Sequence, residues 1–152
     1  MASKTTDPKA VDPDRLIMLY GTLRDPELRR ELGLAPRLRR LGRCRLQGIM
    51  HNLGAYPALA EGKGVVHGEL FEVLERDAFA VMDSFEEFDA KNPKLSAYLR
   101  VRVQLTDPDL ECWVYRYNRP LRGVPRVLGG DWLKHRGLHR HTPPRAPLPR
   151  PL

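Results

Sequence analysis

Apolar and polar positions follow three rhythms along this chain: unbroken, helical and alternating. Leu16–Leu19 is an unbroken apolar run that stops at Tyr20-Gly21-Thr22, with Asp25-Pro26-Glu27 directly behind it. A short apolar run ending at glycine reads as a buried strand entering a tight turn. Asp25 as N-cap and Pro26 as first helical residue then open a helix that Gly33 stops. Residues 42–53 are mixed, with Cys44, Leu46 and Gly48 on one face, and read as a strand. Residues 56–64 read as a loop holding one short extended piece. Residues 64–74 have strong strand character, with Gly68 marking a bulge or a close backbone approach. Over residues 76–88 the period changes, because Phe79, Met82 and Phe85 recur at helical spacing and predict a short helix with an apolar stripe. Residues 89–97, containing Asn92-Pro93, form a loop. Residues 98–105 alternate cleanly, Leu99, Val101, Val103 and Leu105 facing one way and Tyr98, Arg100, Arg102 and Gln104 the other. Asp107-Pro108-Asp109 turns the chain into residues 112–117, the expected antiparallel partner. About five strands with two or three short helices make an α+β domain.

The two ends fall outside these rhythms. Residues 1–14 are polar, carry two Asp-Pro steps, lack the apolar core of a secretory signal and read as a disordered leader. Residues 15–136 form the domain. Residues 137–152 are a Pro/Arg-rich tail, in which proline blocks regular pairing and little apolar area offsets the entropy of ordering. The tail is either inert or a polyproline II ligand for another protein. His135, His139 and His141 have no Cys or acidic ligand beside them, so no metal site is expected. No apolar run approaches the roughly 20 residues of a membrane span. Two cysteines, Cys44 and Cys112, are too few and too far apart for a zinc cluster or disulfide framework. They read as reduced, buried thiols of a cytoplasmic protein.

The net charge of +7 raises the question of an acidic partner, and its distribution answers it. From Tyr115 onward the chain holds nine Lys or Arg against one acid, so the rest is close to neutral. A second cluster, Arg37, Arg39, Arg40, Arg43 and Arg45, contains no stacking aromatic and belongs to no recognition module. It reads as a solvated basic face rather than a nucleic-acid surface.

Two places carry candidate chemistry. The turn after Leu19 exposes backbone N–H groups ahead of a helix, an arrangement suited to an anion or oxyanion. It is equally readable as a strand end that needed a glycine. Asp83, Glu86, Glu87 and Asp89 form an acidic knot at the end of the amphipathic helix. Such a knot is commonly a solvated helix face. Here Phe85 and Phe88 flank Glu86-Glu87, so one carboxylate can be held against apolar surface, where desolvation raises its pKa toward the range of general acid–base work.

Several short segments, in this order, resemble the motifs of one family. Tyr20-Gly21-Thr22-Leu23 is similar to a Y-G-[ST]-L signature, and Gly54-Ala55-Tyr56-Pro57-Ala58 to a G-x-Y-P segment. Val66-His67-Gly68-Glu69-Leu70-Phe71 resembles a V-x-G-E strand, and Met82-Asp83-Ser84-Phe85-Glu86 an L-D-x-F-E motif. Tyr98-Leu99-Arg100 matches Y-x-R, and Gly130-Asp131-Trp132 a late G-D-W. Together they resemble the gamma-glutamylcyclotransferase-like superfamily, which includes gamma-glutamylamine cyclotransferases and the plant avirulence-induced-gene proteins. The resemblance implies a small, mixed, partly closed β-barrel with short helices packed outside. It implies an enzyme of acyltransferase or amine-lyase type, without cofactor, that cyclises the glutamyl unit of a small gamma-glutamyl amide to 5-oxoproline. It selects Glu86 as general acid and base, although the glycine that usually follows is here Glu87. Tyr20, Gly21, Thr22, Leu23 and Arg24 are then candidates for substrate binding, with Tyr98 and Tyr115 lining the glutamyl pocket from adjacent strands. A non-catalytic small-molecule binding protein on the same fold is the alternative, and a basic nucleic-acid-associated protein a more distant one.

Overall fold

Leu16–Leu19 becomes strand β1, and all four of its side chains are buried. It lies at the centre of the sheet, antiparallel to strand β3 (Pro57–Val73) and parallel to strand β5 (Glu111–Tyr117). A strand covered on both faces needs an unbroken apolar run, which is the pattern the chain places here. The computed structural model describes residues 6–139; the tail's polyproline segment and His141 lie outside the described residues. With β2 (Leu38–Asn52) and β4 (Tyr98–Gln104), five strands follow the order β2-β3-β1-β5-β4.

The side chains of β1 divide between two cores. Leu16 and Met18 join Cys44, Leu46, Cys112 and Val114 on one face, closed by Trp132 from helix α3 (Trp132–His139). Ile17 and Leu19 join Phe71, Tyr98 and Tyr115 on the other, beneath Ala78 and Met82 of helix α2 (Asp77–Phe85). Burying each such large apolar side chain contributes about 1.5–3 kcal/mol. Helix α1 (Pro26–Glu31) begins as expected, the Asp25 carboxylate accepting the Glu27 N–H at 2.9 Å. The chain then leaves through Gly33 at φ +76°.

The sheet is not closed. β2 and β4 remain its two edges, so the expected partly closed barrel reduces to one bridge, Arg45 to Asp107, between β2 and the β4–β5 turn. Three further expectations are corrected. The first is residues 56–64: read as a loop with one short extended piece, all but Tyr56 belong to the long strand β3. Pairing jumps from Gln47↔Val65 to Ile49↔Ala60, so residues 61–64 bulge out opposite Gly48. A Cβ on Gly64 would lie 2.7 Å from the Gly48 oxygen, so these glycines serve a close approach of two strands. Gly68 does the same against β1, where a Cβ would meet the Leu19 oxygen at 2.7 Å. Secondly, β2 starts four residues before the expected Gly42, and its arginines are not simply solvated. Arg39 pairs with Glu72, Arg40 with Glu69 at 2.6 Å and Arg45 with Asp107 at 2.9 Å, while Arg37 reaches Asp77 at 3.0 Å. Opposite charges across neighbouring strands favour pairing, and this is what carries a run so rich in arginine into a sheet.

The third correction concerns the leader. Its described part, residues 6–14, forms 3₁₀ turns that Asp7 and Asp12 cap, each followed by a proline. Those turns are docked: Trp113 Nε1 donates to the Asp14 carbonyl at 3.0 Å, and Arg102 forms an ion pair with Asp14. The Asp-Pro steps are caps rather than signs of disorder. At the other end α3 continues through Gly137 to His139, across the expected domain boundary. Cys44 and Cys112 are buried and free. Among the described residues no helix is long and apolar enough to cross a membrane.

Candidate active site

The central strand delivers the chain to the site. Beyond Leu19, buried Tyr20 donates its hydroxyl to the Tyr115 carbonyl at 2.5 Å. Gly21 follows, and Thr22–Arg24 form a single 3₁₀ turn before α1. Of the two uses expected of Gly21, a positive φ or a close approach to the turn, φ −119° removes the first. The glycine is required because Pro57 packs on it: a Cβ would lie 2.8 Å from Pro57 Cγ. Gly21, Thr22 and Leu23 thereby line a narrow cleft that Tyr56 and Pro57 also line.

Helix α2 supplies the acid. Its buried stripe, Ala78 and Met82, holds it on the sheet, and Glu86 caps its C-terminus with its N–H on the Met82 carbonyl at 2.9 Å. The Glu86 side chain lines the same cleft, with Tyr98 and Tyr115 beside it. It is half-buried. Burial, and secondarily the charge of Asp83, pushes its pKa up to about 8. Glu87 is exposed and adopts φ +51°, the left-handed conformation that glycine takes freely. The position where related motifs carry glycine is thus a left-handed helix stop. This resolves the adjacent pair: Glu86 faces the cleft and Glu87 faces solvent.

Three of the four tyrosines that line the cleft donate their hydroxyls to protein acceptors. Tyr20 donates to the Tyr115 carbonyl, Tyr98 to the Pro57 carbonyl at 2.9 Å, and Tyr115 to Asp83 Oδ1 at 2.6 Å. A carbonyl cannot donate, so Tyr20 and Tyr98 must, and what these oxygens have left to offer a ligand is lone pairs. Burial raises the pKa of all three, and the nearby Glu86 carboxylate adds to that. Asp83 is itself held by Arg100, Nε to Oδ1 at 2.8 Å and Nη2 to Oδ2 at 3.2 Å. The Arg100 guanidinium lies 4.5 Å from the Phe79 ring centre and 4.7 Å from that of Trp113.

Of the residues expected from the sequence, Tyr20, Gly21, Thr22, Leu23, Glu86, Tyr98 and Tyr115 converge on this cleft. Arg24 does not. Its side chain is buried in the other direction, where Nε meets Glu69 at 2.8 Å and Nη1 meets Asp131 at 3.1 Å. Burial opposes ionisation of Glu69, but hydrogen bonds from Arg24 and Arg40 hold its carboxyl below the ordinary range. Arg24 therefore anchors the turn instead of reaching substrate. Tyr56, Pro57 and Arg100 were not singled out as site residues from the sequence, and Asp83 only as a member of the acidic knot. Each lies within a motif segment, and only the fold reveals that they face one another.

An open α+β sheet, with a carboxyl of raised pKa facing a strand–turn cleft, is the setting in which the chain's relatives can be compared. Residues 17–134 match the family described as gamma-glutamyl cyclotransferase, AIG2-like, and the chain belongs to that family. The gamma-glutamylcyclotransferase family protein YtfP of Escherichia coli K12 is 32% identical over 84 residues, covering 55% of this chain. That match spans 66% of the relative's own length, just under two thirds. The solution structure of E. coli ytfP superimposes with a TM-score of 0.59 at 28% identity, covering 78% of this chain and 96% of that one. An uncharacterised Pyrococcus horikoshii protein shares the fold, with a TM-score of 0.62 at 22% identity over 83% of this chain and 96% of its own.

Proposed function

We propose that the protein is a gamma-glutamylcyclotransferase that converts the glutamyl unit of a gamma-glutamyl amide to 5-oxoproline, with Glu86 as general acid and base. One observation carries this reading: the Glu86 carboxyl, with its pKa raised to about 8, lines the same cleft as the Gly21–Leu23 turn. The substrate's α-ammonium binds on the acceptor side, against Glu86 and the tyrosine oxygens. The Glu86 carboxylate takes a proton from it, and the resulting amine attacks the substrate's own gamma-carbonyl carbon. As the new C–N bond forms, the carbonyl oxygen gains charge opposite the turn N–H groups. Glu86 returns its proton to the departing nitrogen and the amide C–N bond breaks; the ring nitrogen gives its second proton to the freed Glu86 carboxylate or the released amine, and 5-oxoproline and an amine or amino acid leave.

The nucleophile belongs to the substrate, so the protein supplies orientation, a proton relay near neutral pH and oxyanion stabilisation. Tyr98 and Tyr115 shape the glutamyl pocket, with Tyr20 and Tyr56 completing its walls. Incubation with a library of gamma-glutamyl amides, followed by mass spectrometry for 5-oxoproline, tests the reading. Release of 5-oxoproline from at least one member is expected. No release from any member, with the protein folded, overturns it.

A further inference from the structure

We propose that Asp83 is a positioning residue for Glu86: it places a second carboxylate one helical turn behind the pocket acid and pins Tyr115 against the pocket wall. This rests on the reading of Glu86 as the acid–base group. Residues three apart on a helix lie on one face, so Asp83 and Glu86 are neighbours, one just outside the cleft and one in it. Asp83 is immobilised from two directions. The Arg100 guanidinium forks onto both its oxygens and is itself packed between Phe79 and Trp113, while the Tyr115 hydroxyl approaches Oδ1 at 2.6 Å.

Groups on every neighbouring element face Glu86. They are Tyr20 beyond β1, Tyr56 ahead of β3, Tyr98 on β4 and Tyr115 on β5, with Asp83 on α2. Glu87 follows in the chain but points to solvent, and Arg100 stands behind Asp83. Asp83 is the charged member of this ring that disfavours the ionised form of Glu86. A carboxyl so placed keeps its proton until a cation arrives. The substrate's ammonium offsets the repulsion, so Glu86 becomes a competent base when the glutamyl unit is seated.

The test is an NMR titration of the glutamate side-chain carboxyls of the full chain without substrate, Glu86 being assigned by its loss in Glu86→Gln. Wild type is expected to titrate near 8. Asp83→Asn, which keeps the shape but removes the charge, lowers the midpoint by about one pH unit. Arg100→Gln leaves Asp83 uncompensated and raises it, whereas Arg100→Lys restores the wild-type midpoint. A merely structural role would move both variants the same way or neither, and either result overturns the proposal. Should Asp83→Asn fail to fold, the Arg100→Gln and Arg100→Lys pair decides. The titration needs no turnover, so its failure is separate from that of the functional reading, which fails if Glu86→Gln remains active.

Discussion

At the scale of single residues, the decisive contrast is between two adjacent acids. Glu87 is the one non-glycine residue with positive φ among the described residues. Holding it there costs on the order of 1 kcal/mol, a cost glycine does not carry. Glu87→Gly should therefore stabilise the protein by about 0.5–1 kcal/mol, seen as a rise of roughly 2 °C in Tm. An unchanged or lower Tm would contradict the assignment of that position as a left-handed stop. Glu86 has the opposite character. Its folded pKa of about 8 exceeds the ordinary 4.5, so between those values the folded protein holds a proton the unfolded chain has lost. Wild type should lose stability as pH climbs through that window, while Glu86→Gln should not. The Tm difference between them should widen from about pH 4.5 to 8 and then level off; a gap that does not depend on pH would exclude a buried, titrating Glu86. The acidic knot was legible in the sequence and the family motif selected Glu86 from it, but spacing alone could not say which carboxylate turns inward, because that depends on a backbone dihedral.

At the scale of elements, the site was legible wherever one period ruled. β1 is an uninterrupted apolar run, β4 alternates, and α2 carries a helical stripe, so the pieces that hold Tyr20, Tyr98 and Glu86 follow from the pattern alone. The 61–64 bulge and the docked leader were not legible, since glycines and Asp-Pro steps look like loops until a partner strand uses them. The purpose of Gly21 was half legible: a glycine was required for a close approach, but the approaching group is Pro57. Gly21→Val should force Pro57 away, disturb the carbonyl that receives the Tyr98 hydroxyl, and cost about 1–3 kcal/mol by overpacking. Wild-type Tm and kinetics for this variant would contradict the close approach. Arg24 teaches the same lesson, because it was a candidate for substrate binding or a surface residue at a helix start, yet its partners lie 45 and 107 residues away. Replacing it by Met leaves two buried carboxylates short of a cation, and a loss of about 3 kcal/mol in urea unfolding is expected. A loss below about 0.5 kcal/mol would mark the trio as no more than a surface pair.

At the scale of the whole molecule, motifs far apart in sequence serve two assemblies. Arg24, Glu69 and Asp131 tie the turn, β3 and the start of α3 together, while Glu86, the tyrosines and the Gly21–Leu23 turn surround the cleft. The family was legible because the order of these segments survives in the chain, and the openness of the sheet was not, because edge pairing leaves no local mark. In the arginine cluster that raised the question of nucleic acid, Arg37, Arg39, Arg40 and Arg45 each pair with an acid. What remains is a small acid–base site, and its central claim can be measured directly. Once a turned-over gamma-glutamyl amide is identified, 5-oxoproline release should be compared among wild type, Glu86→Gln and Glu87→Gln at pH 8. Glu86→Gln should fall by about 10²- to 10⁴-fold with its fold intact, while Glu87→Gln keeps most of the activity. Equal release by wild type and Glu86→Gln would contradict the account.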